Sequence, residues 1–135
     1  MQNCFDIGGL VNLSSYAIFS QRGLETLSRE QDIGAALDTV LDRGAAWPAV
    51  TMGEKGAYWL DGGEMRHCPA EQIEPIDTCG AGDVFHGAFG VAMAEKMDIG
   101  QAMRFAAAAA ALKCLTFGGS LGVADRDSVD RYLSR

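Results

Sequence analysis

The sequence predicts an α/β fold from three observations: an amphipathic helix runs into a short apolar strand, a glycine-turn hairpin follows, and Gly80-Ala81-Gly82 opens a long apolar helix. Helix followed directly by strand is the connection of an α/β crossover, and the hairpin adds an antiparallel piece. A chain of 135 residues that is 48% apolar can bury the core of one domain. Its net charge of −7 disfavours nucleic acid and anionic membrane as partners, while a local site can still hold phosphate. The expected partners are small molecules or protein.

Each element follows from its own pattern. Leu24, Leu27, Ile33, Ala36, Leu37, Val40 and Leu41 recur at helical spacing, which predicts one helix from Leu24 to Arg43 with a weak point near Arg29 and a stop at Gly44. Ala49-Val50-Thr51-Met52 reads as a buried strand, and Gly53-Glu54-Lys55-Gly56 as a tight connection out of it. Ala57–Leu60 and Glu64–Cys68 flank Asp61-Gly62-Gly63 as a hairpin. An extended segment is expected near Ile73–Ile76, then a buried helix over Val84–Met97. Asp98 is placed to cap a helix from Ile99 to about Leu115, whose alanines Ala106 to Ala111 allow close helix packing. Gly118–Gly122 forms a turn, and Asp125 or Asp127 starts a last helix through Leu133.

The four cysteines, Cys4, Cys68, Cys79 and Cys114, have neither metal-ligand spacing nor the density of a disulfide scaffold. Free thiols, the lack of a basic-then-apolar leader and apolar stretches shorter than a membrane span predict a cytoplasmic location.

The chemistry concentrates in Asp77-Thr78-Cys79-Gly80-Ala81-Gly82-Asp83. Small residues directly before a helix let consecutive backbone N–H groups approach an anion, and the helix dipole adds positive character there. Asp83, at the start of the same helix, is placed to take a proton from an attacking hydroxyl. A Gly-x-Gly-Asp taken alone is equally the sequence of a plain turn with a capping carboxylate. His86 beside Phe85 reads as a packed histidine, and Lys55 as a solvated charge at a turn.

With Val84-Phe85-His86-Gly87-Ala88-Phe89 after it, the run from Asp77 to Asp83 resembles the Asp-Thr-x-Gly-Ala-Gly-Asp signature of the ribokinase-like (PfkB-type) sugar kinases. The resemblance implies the C-terminal portion of a three-layer α/β/α fold and ATP-dependent phosphorylation of a hydroxyl on a sugar or sugar-like substrate. It also implies Asp83 as general base and Gly80, Ala81 and Gly82 as anion hole, with Asp77 and Thr78 near a monovalent-cation site. ATP and Mg2+ are the implied cofactors, with K+ in members that use it. Thr51-Met52-Gly53-Glu54-Lys55-Gly56 is similar to the family's Thr-x-Gly-x-x-Gly nucleotide loop, with Thr51, Gly53 and Gly56 at its fixed positions. Leu112 to Gly119 resembles the late helix and glycine turn that enclose adenine, which adds Gly118 and Gly119 to the nucleotide contacts. Ala108 stands where the family often has Asn.

The resemblance runs from about residue 14 to 135, leaving 1–13 as an atypical N-terminal segment. The family's Gly-Gly signature and sugar-gripping aspartate are not seen, and Gly8-Gly9 lies too near the later motifs to be the former. The family's Asn-x-x-Glu, which organises magnesium, is expected at Ser14-Ser15-Tyr16-Ala17, where no carboxylate occurs. These departures predict a chain without the substrate-binding half, associating with itself or with that half through an exposed strand edge. The alternative function is a non-catalytic fragment or pseudokinase module that binds nucleotide or a partner chain.

Overall fold

The computed structural model describes residues 7–135, so Cys4 and the start of segment 1–13 lie outside the described residues. The helices are α1 (Ile7–Leu13), α2 (Gln21–Ser28), α3 (Ile33–Asp42), α4 (Ala81–Ala94), α5 (Ile99–Cys114) and α6 (Arg126–Leu133). The strands are β1 (Ala17–Ser20), β2 (Pro48–Thr51), β3 (Ala57–Asp61) and β4 (Glu64–Cys68), in the sheet order β1-β2-β3-β4. The chain divides into two compact units. One runs to Gly53 and includes Ala57–His67, and the other holds Glu54–Gly56 and Cys68–Arg135.

In the first unit β1 and β2 pair in parallel, with Ser20 opposite Thr51, and β3 runs antiparallel to β2. Gly62 and Gly63 join β3 to β4 with φ of 58° and 83°, the left-handed pair that a two-residue hairpin turn requires. Side chains alternate across a strand. One sheet face therefore collects Ala17, Phe19, Val50, Met52, Tyr58 and Leu60, and it packs with Val11 of α1, Leu24 of α2 and Leu37 and Val40 of α3.

The single helix expected over Leu24–Arg43 is two. Arg29 ends α2 at φ 62°, Ser28 Oγ accepts from Glu30 N–H at 3.1 Å, and the Asp32 carboxylate caps α3 by accepting from Ala35 N–H at 2.9 Å. Two short polar side chains thus take backbone donors that a continuous helix would use internally. Arg43 ties the pair by donating to the Leu27 carbonyl at 2.8 Å.

In the second unit α4 and α5 form a helical hairpin around Lys96, whose φ is 62°, and Asp98 caps α5 through Gln101 N–H at 2.9 Å. Phe85, Phe89 and Ala92 form the buried stripe of α4. Ala102, Ala106 and Ala109 on α5 are buried, and their lack of bulk lets the two backbones approach. Asp125 rather than Asp127 caps α6, accepting from Ser128 N–H at 2.8 Å. No described helix is long and apolar enough to cross a membrane.

The extended segment expected near Ile73–Ile76 joins no sheet. The N–H groups of Ile76 and Asp77 both donate to the Cys114 carbonyl, at 2.7 and 3.1 Å, so this stretch caps the C-terminal end of α5 instead of joining a sheet.

Candidate active site

Gly80 is the N-cap of α4 at φ 79°, a left-handed conformation that turns the chain into the helix. Ala81 N–H donates to the Thr78 carbonyl at 3.2 Å and so closes the turn. The Gly82 and Asp83 amides belong to the first helical turn, where N–H groups have no intrahelical acceptor. Gly82 has no left-handed φ, and a Cβ built on it would meet nothing within 4 Å. Neither backbone conformation nor neighbouring atoms demand glycine there, which leaves clear approach from outside as its consequence.

Asp83 is exposed and borders an open groove of about 880 Å³. Val84, Gly87, Ala88 and Val91 of α4, Phe105 and Ala109 of α5, and Gly119, Ser120 and Val123 also line it. Arg126 borders the groove as well, bonded to Glu95 at 2.6 Å and to Asp130 at 3.0 Å, with its guanidinium 4.9 Å from the Phe105 ring centre. Among the described residues, no ion pair engages Asp83.

Asp77 holds the two glycine turns together. Its Oδ1 accepts from Cys79 N–H at 2.9 Å, and its Oδ2 accepts from Gly118 N–H at 3.0 Å and Gly119 N–H at 3.4 Å. Lys113 Nζ donates to the Asp77 carbonyl at 2.8 Å and lies 3.4 Å from Oδ2. The Gly118 and Cys79 amides, then Gly119 and Lys113, hold the Asp77 carboxyl well below the ordinary carboxylate range.

Several expected residues therefore stand differently from the sequence reading. Asp77 and Thr78 do not fit a monovalent-cation site: the Asp77 carboxylate is surrounded by N–H donors and an ammonium, and the Thr78 carbonyl accepts from Ala81. Gly118 and Gly119, at φ 113° and 56°, commit their amides to Asp77, so a nucleotide would meet their carbonyl side or surface. Ala108 is 0% exposed and cannot face a ligand, whereas Ala109 does line the groove. His86 is exposed yet meets the Phe85 ring edge-on at 6.4 Å between centres, with Nδ1 2.7 Å from the Gly82 carbonyl.

Asp77, Gly80, Asp83, Gly118 and Gly119 fall in the second unit, and Thr51 and Gly53 in the first. Thr51 ends β2 beside the end of β1, with its hydroxyl donating to the Phe19 carbonyl at 3.3 Å. Gly53 and Gly56 bracket a short 3-10 turn at φ 55° and 85°. The carboxyl end of parallel strands is where open α/β sheets meet ligands. Ser14–Tyr16 precede β1 at its other end, so the place to look for a magnesium-organising carboxylate is Ser20-Gln21-Arg22-Gly23, which has none. The described residues contain no cluster of three or more His, Cys, Asp or Glu able to hold a metal.

Lys113 escaped the sequence reading. A lysine in the last turn of a helix ordinarily complements the dipole from solvent. The available signal was its position four residues after Ala109 and seven after Ala106, on the buried stripe of α5.

Fold and site together define an α/β protein with a glycine turn at the head of α4, which buries only Phe85, Phe89 and Ala92 rather than the whole apolar run expected, and a carboxylate at its first turn. A model described as pfkB family carbohydrate kinase matches residues 6–126. The chain is 40% identical over 99 residues to the ribokinase of Bacillus subtilis (strain 168), across 71% of this chain and 34% of that relative. The structure of Arabidopsis thaliana ribokinase complexed with ribose and ATP superposes with a TM-score of 0.88 at 29% identity, covering 95% of this chain and 43% of that one. A double mutant of the Vibrio cholerae O395 fructokinase, in its fructose, ADP and potassium ion bound form, gives 0.85 at 25% identity over 93% and 42% of the two chains. The chain belongs to the pfkB family of carbohydrate kinases and has its ribokinase-like α/β fold. Its match spans about a third of the length of the Bacillus relative.

Proposed function

We propose that this chain carries the phosphoryl-transfer centre of an ATP-dependent kinase acting on a hydroxyl of a sugar or sugar-like compound. The observation that carries the reading is the clear space at Gly82 beside an exposed, unpaired Asp83 at the same helix start.

The Gly82 and Asp83 amides, with Gly80 keeping the turn open, face the charge that grows on the γ-phosphoryl oxygens, and the α4 dipole reinforces them. Asp83 accepts the proton of the acceptor hydroxyl as that oxygen bonds to the γ-phosphorus; the bond from phosphorus to the β-bridging oxygen breaks, and ADP leaves. Mg2+, when bound, would neutralise phosphate charge, and the described residues contain no carboxylate cluster to hold it apart from the nucleotide. Thr51, Gly53 and Gly56 contribute the nucleotide loop of the reading, and Gly119, held beside Gly118 by Asp77, borders the groove.

The deciding measurement is ATP binding by calorimetry followed by sugar-dependent ADP release, with ribose, deoxyribose and fructose as first acceptors. Asp83→Ala should abolish release and preserve ATP binding; release surviving that change removes Asp83 from its role. ATP binding without turnover on any acceptor supports the alternative, a nucleotide-binding module that works with a partner chain. The exposed side chains of Leu13, Phe117 and Leu121, each at least 79% accessible, and the edge position of β1 suit self-association or such a partner. A strictly monomeric mass in light scattering at high concentration would contradict self-association.

A further inference from the structure

Lys113 is the ionisable group that the proposed mechanism leaves unused. It is the largest fully buried side chain, at 0% exposure, and it lies in the last turn of α5 on an otherwise apolar stripe. Burying an ammonium is unfavourable unless oxygen atoms replace its water, and a methionine of similar length would fill the same space without that requirement. The oxygens that replace the water belong to one residue: the Asp77 carbonyl at 2.8 Å and Asp77 Oδ2 at 3.4 Å. A carbonyl paired with a carboxylate oxygen is the donor chemistry of a hard cation. The same Oδ2 receives the Gly118 and Gly119 amides, while Oδ1 receives Cys79 N–H at the approach to Gly80. The ammonium thus fixes the carboxylate that shapes both glycine turns. It also offsets a negative charge three residues from Gly80, where an uncompensated carboxylate would repel phosphate.

From this geometry we infer that Lys113 supplies the fixed positive charge of the centre, so that the Asp77 site works without K+ or any other monovalent ion. A metal ion brought to Asp77 would lie against an ammonium and meet like-charge repulsion. The inference rests on the phosphate-binding reading for its functional consequence, and on the Lys113–Asp77 contact alone for its structural one.

The full-length chain is melted in KCl and in tetramethylammonium chloride at equal ionic strength, and ATP affinity is measured in both salts. Wild-type melting temperature and ATP affinity should not change with the cation. Lys113→Ala, which vacates the position, should melt lower than wild type and regain about 4 °C or more in KCl alone. Wild type stabilised by K+, or binding ATP several-fold more tightly in it, overturns the inference, and this comparison decides even if the variant does not fold. A folded Lys113→Ala that ignores K+ reduces the lysine to packing and also overturns it. Wild type that fails to bind ATP in either salt, yet melts identically in both, refutes the phosphate-binding reading while the Lys113 assignment stands.

Discussion

The two glycine turns joined by Asp77 look alike in sequence and serve opposite ends. Before α4, Gly80 and Gly82 leave space: a Cβ on either would touch nothing within 4 Å. After α5 the crowding falls on Gly122, while Gly119, like Gly80 and Gly82, has nothing within 4 Å of an added Cβ. Gly118 and Gly119 give their amides to Asp77, and a Cβ on Gly122 would lie 3.1 Å from the Thr116 carbonyl oxygen and 3.2 Å from that of Lys113. A glycine that backbone touches marks packing. The Gly82 and Asp83 amides have no intrahelical acceptor, whereas those of Gly118 and Gly119 are already bonded to Asp77. The first turn is therefore the place to look for ligand, and the second is what holds the first in shape.

Experiments that break this contrast fall in order of expected effect. Asp83→Asn, which keeps shape and removes the proton acceptor, should lower sugar-dependent ADP release by about 10³-fold with the thermal melt unchanged; a fall of less than tenfold in a coupled assay would place the base elsewhere. Gly122→Val should cost about 1–3 kcal/mol in urea unfolding, because the crowding atoms are backbone and cannot swing aside. Gly82→Ala and Gly119→Ala form the sharpest pair. The first should leave stability unchanged and weaken ATP binding about tenfold, while the second, forced into left-handed backbone at φ 56°, should cost about 1–2 kcal/mol. Equal effects of the two on stability would erase the distinction between the turns.

The smallest effect at neutral pH belongs to Asp77, and it grows with acid. Its folded carboxyl lies below the ordinary value of 3.8, so the stability gained by ionisation is complete above about pH 4 and is lost as pH falls through the lowered folded value. Acid titration of the melting temperature should show wild type losing stability below about pH 4 more steeply than Asp77→Asn. Parallel curves would mean that the amides of Gly118 and Cys79 do not stabilise the charged form.

Much of this was legible from local pattern. Asp98 and Ile99 announced the start of α5, Gly62-Gly63 the hairpin, and Gly80–Asp83 the head of α4, because caps and turns depend on neighbours within four residues. What was not legible depends on distant partners. Ile73–Ile76 has strand-like composition, but its adjoining amides are captured by the Cys114 carbonyl. The weak point near Arg29 was visible as such; the full break needed Ser28 and Asp32 to take their backbone donors. Lys113 drew no reading of its own because its partner, Asp77, lies 36 residues earlier.

That separation bears on how the chain acquires its shape in time. The carbonyl and Oδ2 of Asp77 wait for donors 36, 41 and 42 residues further along, whereas Oδ1 has its donor two residues on. At roughly 5–20 residues per second, a ribosome would deliver Asp77 about 2–8 seconds before those donors. Until then the long-range bonds of Asp77 are unmade, and the glycine run acquires its full geometry when the α4–α5 hairpin, which fills the interval, brings Lys113, Gly118 and Gly119 back to it. Slowing that closure, for example by lengthening the connection at Lys96, should delay nucleotide binding during refolding more than it delays the appearance of helix.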